Sequence, residues 1–293
     1  MQQPRGYITA LVTPFRNGAV DDETFQRLVD RQIRAGVHGL VPVGTTGESA
    51  TLTQAEHRRV VRLCVEAAAG RVPVIAGAGS NATAEAIELA HIAEEAGADA
   101  ALAVTGYYNK PSQAGLVAHF TALHDATRLP IILYNVPGRV VVNLSVETIA
   151  TLSKLPRIIA VKDATGDLAR VALQRLASGP DFIQLSGEDM TAIGFNAMGG
   201  RGCIGVSGNV APALCAQLQD ASLAGDLAGA CALQDRLAPL HDAIFRDTSP
   251  GPVKYAMSLM GLCSAELRLP LVAPPEAVKQ RVREVLEGLG LSG

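Results

Sequence analysis

The chain has 293 residues, 48% of them hydrophobic and 18% charged, with a formal net charge of −3. That much apolar material builds a sizeable core and excludes disorder, and scattered basic residues on a slightly acidic chain exclude a general attraction to nucleic acid or anionic membrane. Five cysteines, Cys64, Cys203, Cys215, Cys231 and Cys263, are odd in number and never form a CxxC pair, which argues against a disulfide framework or a thiolate metal site and predicts a reducing, cytoplasmic setting.

The opening stretch MQQPRGYITALVTPF has no apolar h-region behind a basic stretch, and no later apolar run is long enough to span a bilayer, so a soluble protein is expected. Short apolar runs then recur, each followed by a Gly, Ser, Thr or Asn cluster and an alanine-rich stretch with helical spacing. They are YITALV (7–12), GLVPV (39–43), VPVIAG (72–77), DAALAV (99–104), PIILYN (130–135), RIIAVK (157–162), DFIQLS (181–186) and GCIGV (202–206). Eight runs predict eight strands. Asp21 or Asp22, Thr53 and Ser145 are placed to cap helices, and Gly36, Gly70 and Gly97 to close them. Eight β-loop-α units over residues 1–224 fit an α/β fold of the (β/α)8 TIM-barrel type better than an open doubly wound sheet. Residues 225–293 read as a C-terminal helical domain, from LAGACALQDRLAPLHDAIF through PVKYAMSLMGL to PEAVKQRVREVLEGLG.

In such a barrel, reactive groups come from the carboxyl ends of strands and the loops that follow. Lys162 ends the sixth run behind four residues that read as interior, whereas the other four lysines, Lys110, Lys154, Lys254 and Lys279, read as loop or polar helical residues. A lysine desolvated among apolar walls becomes less basic, and a neutral amine attacks carbonyls. Tyr134 ends the fifth run, where its phenol is placed to move protons for the lysine, the alternative being a core tyrosine with a satisfied hydroxyl. The PGR turn then exposes Arg139, whose planar fork suits a carboxylate or is simply solvated.

In GTTGES, Gly44 and Gly47 allow consecutive N–H groups to face a small anion, with Thr45 and Thr46 adding hydroxyls. The segment lacks a P-loop's GKS or GKT ending, and GAGSNAT lacks GxGxxG spacing, which argues against nucleotide binding. TGYYNKP places Tyr107 and Tyr108 side by side on a loop, as an interface or ligand site does, or as loop packing does. The six histidines show no HxH or HExxH arrangement, so no metal is expected, and His119 and His124 read as helix-surface residues.

GTTGESATL, YYNKP, LYNVPGR, VKDATGD and SGED occur in this order, followed by PGPVKYAMSLMGL and LRLPL. Over essentially the whole chain this pattern resembles the dihydrodipicolinate synthases of the pyruvate-dependent class I aldolase superfamily. The resemblance implies a lyase of lysine and diaminopimelate biosynthesis, condensing pyruvate with L-aspartate 4-semialdehyde and cyclising the adduct to the 4-hydroxy-tetrahydrodipicolinate product, without a cofactor. It implies that Lys162 forms the Schiff base and that the Thr45 and Thr46 loop holds the pyruvate carboxylate. By the same resemblance Tyr134, Thr45 and Tyr108 form a proton relay, with Tyr108 donated by a neighbouring subunit. Arg139 anchors the aldehyde substrate's carboxylate, and Gly187 and Ile204 line the site. The assembly implied is a homotetramer of two tight dimers. Ser49, Ala50, His57, Asn81, Glu85 and Tyr107 match a lysine feedback site, weakened by Gln54 where some sensitive relatives have histidine. Gly106 and Val140 depart from the proline and threonine often found at those positions. Two alternatives are another aldolase, such as an N-acetylneuraminate lyase or a 2-keto-3-deoxy sugar acid aldolase, and a non-catalytic pyruvate-binding relative. Arg139 and the paired tyrosines argue against the first, and the intact set Lys162, Tyr134 and Thr45 against the second.

Overall fold

The computed structural model of the chain describes residues 3–291. Each of the eight runs forms a parallel strand: β1 (Gly6–Ala10), β4 (Gly39–Val41), β5 (Ile75–Gly77), β6 (Ala100–Val104), β7 (Ile131–Asn135), β8 (Ile158–Asp163), β9 (Ile183–Ser186) and β10 (Gly202–Gly205). Several are shorter than the apolar runs suggest. Pro42 ends β4 and Pro73 precedes β5, because a residue without an N–H cannot donate to the ladder.

The strands run in the order β4-β1-β10-β9-β8-β7-β6-β5. A parallel bridge from Leu40 to Val74 joins the two ends of that order, with Leu40 N–H donating to Pro73 O at 3.0 Å and Gly77 N–H to Pro42 O at 3.1 Å. The sheet therefore closes into a TIM barrel. Alternation along the strands divides the core in two. Ile8, Val41, Ile75, Leu102, Ile132, Ala160, Leu185 and Ile204 fill the interior, while Tyr7, Leu40, Ala101, Leu133, Val161 and Cys203 face the surrounding helices.

The helices begin where local chemistry satisfies their first amides. Asp21 caps α1 (Asp22–Arg34), Thr53 and Glu56 form a capping box on α2 (Gln54–Ala68), Ser112 caps α4 (Gln113–Ala126) and Ser145 caps α6 (Val146–Leu152). The outer layer includes α3 (Thr83–Glu95), α7 (Ala169–Ser178), α8 (Ala192–Ala197) and α9 (Pro212–Leu223). After Leu223 come α10 (Leu227–Ala243), α11 (Gly251–Leu259) and α12 (Glu276–Leu289). Helix α10 packs along α9, and α12 packs against α10 and α11. No described helix is long and apolar enough to cross a membrane.

Four local readings of the sequence need correction. Residues Phe15–Arg16 (β2) and Ala19–Val20 (β3) form a small antiparallel hairpin not foreseen, although Asn17-Gly18, both at positive φ, is the usual two-residue hairpin signal. The PGR segment is a short helix, α5 (Pro137–Val140), with its proline at the start, where no N–H is needed. His124 is buried rather than surface-lying, and His119 is half-buried, because α4 is flanked by α3 and α6. Lys254 is not a polar helical residue on the surface: it is completely buried and paired with Glu48 at 2.6 Å.

Close backbone approaches at the carboxyl end of the barrel require glycine. A Cβ at Gly77 would lie 2.3 Å from the Val43 carbonyl oxygen and 2.8 Å from its carbon. Gly77→Ala is therefore expected to cost about 1–3 kcal/mol, the range for overpacking, read as a lower thermal midpoint. Gly138→Ala, with nothing within 4 Å of its added Cβ, serves as the control and should leave the midpoint unchanged.

Candidate active site

Strand parity decides which side chains enter the barrel. Along β8, Ala160 points inward and Val161 outward, so Lys162 points inward and Asp163 outward; along β7, Ile132 and Tyr134 both point inward. The parallel register sets Tyr134 directly opposite Lys162, and the Lys162 Nζ lies 4.2 Å from the centroid of the Tyr134 ring. At that distance the ring face attracts the ammonium form. Both residues are nearly buried, Lys162 at 6% and Tyr134 at 8% exposure. Lys162 has no carboxylate partner among the described residues, and both side chains line an open cleft.

On the outer face, the Asp163 carboxylate anchors the end of β8. It accepts hydrogen bonds from Thr165 N–H (2.9 Å), Thr165 Oγ1 (2.6 Å), Arg170 Nε (3.1 Å) and Gln174 Nε2 (2.8 Å). These ties fix the strand end that carries Lys162.

The segment Gly44–Gly47 forms another wall. Thr13 Oγ1 donates to Gly47 O at 2.7 Å, Gly47 N–H to Gly44 O at 3.1 Å and Glu48 N–H to Thr45 O at 3.1 Å. The N–H groups of Thr45 and Thr46 have no acceptor among the described residues, and both residues line the cleft. Free consecutive amides of this kind make a cradle for a small anion. Arg139, exposed on α5, also lines the cleft, and its guanidinium forms no salt bridge among the described residues. Gly187 follows β9 and permits a close crossing, since a Cβ there would fall 2.6 Å from the Ala164 Cβ.

The cleft also contains residues that sequence reasoning missed. Glu188 faces it from the SGED segment; burial raises its carboxyl above the usual range, Asp189 adds to the rise, and Lys162 counteracts part of it. Its place in a quoted motif was the available signal. Phe245 and Ser249 reach the cleft from the connection between α10 and α11, and nothing in their local sequence marks them.

Other candidates lie elsewhere. Ile204 is fully buried in the barrel interior, paired in register with Ile8. Tyr108 is 91% exposed on a loop at φ 66°, outside the cleft of its own chain, beside half-exposed Tyr107. The same loop contacts the Asn81 segment, with Asn109 Nδ2 donating to Asn81 O at 2.9 Å. Glu85 is exposed and accepts a hydrogen bond from Ser80 Oγ, Ser49 is half-buried and Ala50 is exposed. His57 is buried, with Nε2 2.9 Å from Gly77 O, and burial lowers its proton affinity. No group of three or more His, Cys, Asp or Glu side chains among the described residues is arranged to hold a metal ion.

The arrangement combines an unpaired amine, a phenol, an anion cradle and a free guanidinium around one cleft. It suits addition of an amine to the carbonyl of a keto acid, followed by chemistry on a second anionic substrate.

A model of the dihydrodipicolinate synthetase family matches residues 3–289. The chain is 61% identical over 287 residues to the 4-hydroxy-tetrahydrodipicolinate synthase of Rhodospirillum centenum, covering 98% of this chain and 99% of the relative. It superposes with a TM-score of 0.96 on the chloride-inhibited dihydrodipicolinate synthase of Acinetobacter baumannii complexed with pyruvate, at 42% identity and covering 98% of this chain and 99% of that one. The corresponding enzyme of Cyanidioschyzon merolae, solved with lysine bound, gives a TM-score of 0.95 at 37% identity and covers 98% of each chain.

Proposed function

The chain belongs to the dihydrodipicolinate synthetase family, and from that membership and the cleft we infer that it catalyses the 4-hydroxy-tetrahydrodipicolinate synthase reaction. It is a lyase that condenses pyruvate with L-aspartate 4-semialdehyde in lysine biosynthesis. The observation that carries the assignment of roles is the in-register pair of Lys162 and Tyr134, beside the free amides of Thr45 and Thr46.

Pyruvate enters with its carboxylate on the Thr45 and Thr46 amides, which brings its carbonyl carbon to Lys162. The amine form of Lys162 adds to that carbon, and loss of water leaves a protonated imine. Tyr134 shuttles the protons that addition and dehydration require. Removal of a methyl proton gives the enamine, whose carbon attacks the aldehyde of the second substrate and forms the new C–C bond. Arg139 holds that substrate's carboxylate. Its amino group then attacks the imine carbon, closing the ring and releasing Lys162. One water leaves in the overall condensation.

Pyruvate followed by borohydride should add a reduced pyruvyl group to the peptide containing Lys162, detected by mass, and Lys162→Ala should abolish both labelling and turnover. Arg139→Ala should still be trapped while losing condensation by about tenfold or more, as removal of a charge-assisted hydrogen bond implies. Labelling at another residue would overturn the assignment. Equal loss of both steps in Arg139→Ala would show that the arginine supports the whole site. N-acetylneuraminate in place of the two substrates should give no turnover.

The exposed, left-handed Tyr108 supports a role in a neighbouring protomer's site, completing a relay with Thr45 and Tyr134 in a dimer-of-dimers homotetramer. Mixed oligomers of Tyr108→Phe and Lys162→Ala chains, each inactive alone, should recover activity; no recovery in verified hybrids returns Tyr108 to its own subunit or removes it from catalysis. The five unpaired cysteines fit a cytoplasmic setting.

Ser49, Ala50, Asn81, Glu85 and Tyr107 form a feedback site for lysine, with Glu85 receiving an ammonium group and Asn81 facing the carboxylate. His57 belongs to the same set, and Gln54 is held by Glu88 at 3.1 Å. Lysine titrated at fixed pyruvate should inhibit partially, and Glu85→Ala should abolish the response. A flat response of the unaltered protein up to high millimolar lysine would make this pocket vestigial.

A further inference from the structure

We infer that Glu48 and Lys254 form a positioning clasp through which the C-terminal segment holds the Thr45 and Thr46 cradle in its anion-binding conformation. The inference rests on the cradle's proposed role in binding the keto acid. Lys254, on α11, is completely buried, and its Nζ donates to Glu48 Oε1 at 2.6 Å across 206 residues of chain. The second carboxylate oxygen, Oε2, accepts the Arg268 N–H at 3.1 Å. The Lys254 Nζ and the Arg268 guanidinium carbon lie 4.2 and 4.4 Å from the centroid of the buried Phe15 ring.

A buried ion pair contributes little net stability, because the cost of taking both ions out of water consumes most of their attraction. Its location suggests what it does instead. Glu48 follows Gly47 directly and has left-handed backbone, φ 55°, while Val43, just before Gly44, is also left-handed at φ 49°. The four-residue cradle is thus bounded at both ends by non-glycine residues in a conformation that costs free energy and persists only under outside constraint. At Val43 the constraint is the backbone of Gly77, which leaves no room for a Cβ. At Glu48 it is the side chain's attachment to Lys254.

Arg268 does not replace that attachment. Its guanidinium is committed to Glu56 at 2.5 and 2.8 Å, Thr51 O at 2.9 Å and Gly18 O at 2.7 Å, so only its backbone N–H reaches Glu48. Release of the Glu48 carboxylate lets the backbone there leave the left-handed region, which turns the preceding peptides and moves the free amides of Thr45 and Thr46 away from the cleft. Glu48 and Lys254 touch no substrate in this account; they act through the loop.

The test uses the full chain with Glu48→Gln and Lys254→Met together, which preserves approximate side-chain volume and leaves no lone buried charge. Borohydride trapping is measured against pyruvate concentration, alongside KM for both substrates and the thermal midpoint. Half-saturating pyruvate should rise about tenfold, the scale of one lost charge-assisted contact, while KM for the aldehyde changes by less than about twofold. An unchanged pyruvate response in the folded double variant, or an equal rise in both KM values, overturns the clasp. If the double variant does not fold, Glu48→Asp keeps the buried charge but draws the carboxylate back from the Lys254 Nζ by one methylene, loosening the attachment, and it should show the same selective loss; an unaltered pyruvate response there also overturns the clasp. Failure of pyruvate to be trapped by the unaltered protein would instead remove the functional reading on which the clasp rests.

Discussion

Tyr134 and Lys162 stand opposite each other on adjacent parallel strands, and the rest of the site is arranged around that contact. Because side chains alternate along a strand, a one-residue slip of β8 against β7 would send Lys162 to the helical layer and bring Asp163 into the barrel. The hydrogen bonds to Asp163 oppose such a slip. Arg170, Gln174 and Thr165 receive the carboxylate on the outer side, so the same strand end presents an amine inward and a fixed anion outward.

The chain contains two buried lysines with opposite environments. Lys254 is paired with Glu48, and burial lowers its proton affinity while Glu48 raises it again, as in a structural ion pair. Lys162 has no carboxylate partner among the described residues and opens onto a cleft with an aromatic face beside it. Burial by itself therefore does not distinguish a reactive lysine from an architectural one. The partner does: a fully satisfied ammonium has no reason to meet a substrate, whereas one facing a cleft that also offers free amides and a guanidinium does.

The loops above the barrel derive their shape from contacts far away in sequence. Gly77 allows the Val43 backbone to approach from a neighbouring strand, Gly187 allows β9 to pass close to Ala164, and the segment after α10 brings Phe245 and Ser249 to the rim. Strain in the cradle and exposure of Tyr108 occur at the same end of the molecule, where strands terminate and ligands approach. An acid-sensitive pair helps to fasten this end. Arg268 lowers the Glu56 carboxyl to about 2, so the stabilisation that pair gives is present above the ordinary carboxylate range and is lost only as the pH falls towards that value.

Much of this was legible in the sequence because it depends on short-range periodicity. Eight apolar runs separated by helical stretches indicated eight strands, capping residues marked helix starts at Asp21, Thr53 and Ser145, and four apolar residues before Lys162 singled out that lysine. Motif order suggested the family. The tertiary structure alone decided that the barrel closes through Leu40 and Val74, that Lys254 is buried against Glu48, and that Glu188, Phe245 and Ser249 belong to the cleft. The physical reason is range. Turn chemistry and alternation act over a few residues and leave a local signature, whereas a side chain's burial and its partner depend on which distant segments the closed barrel brings together, and no nearby residue records that outcome.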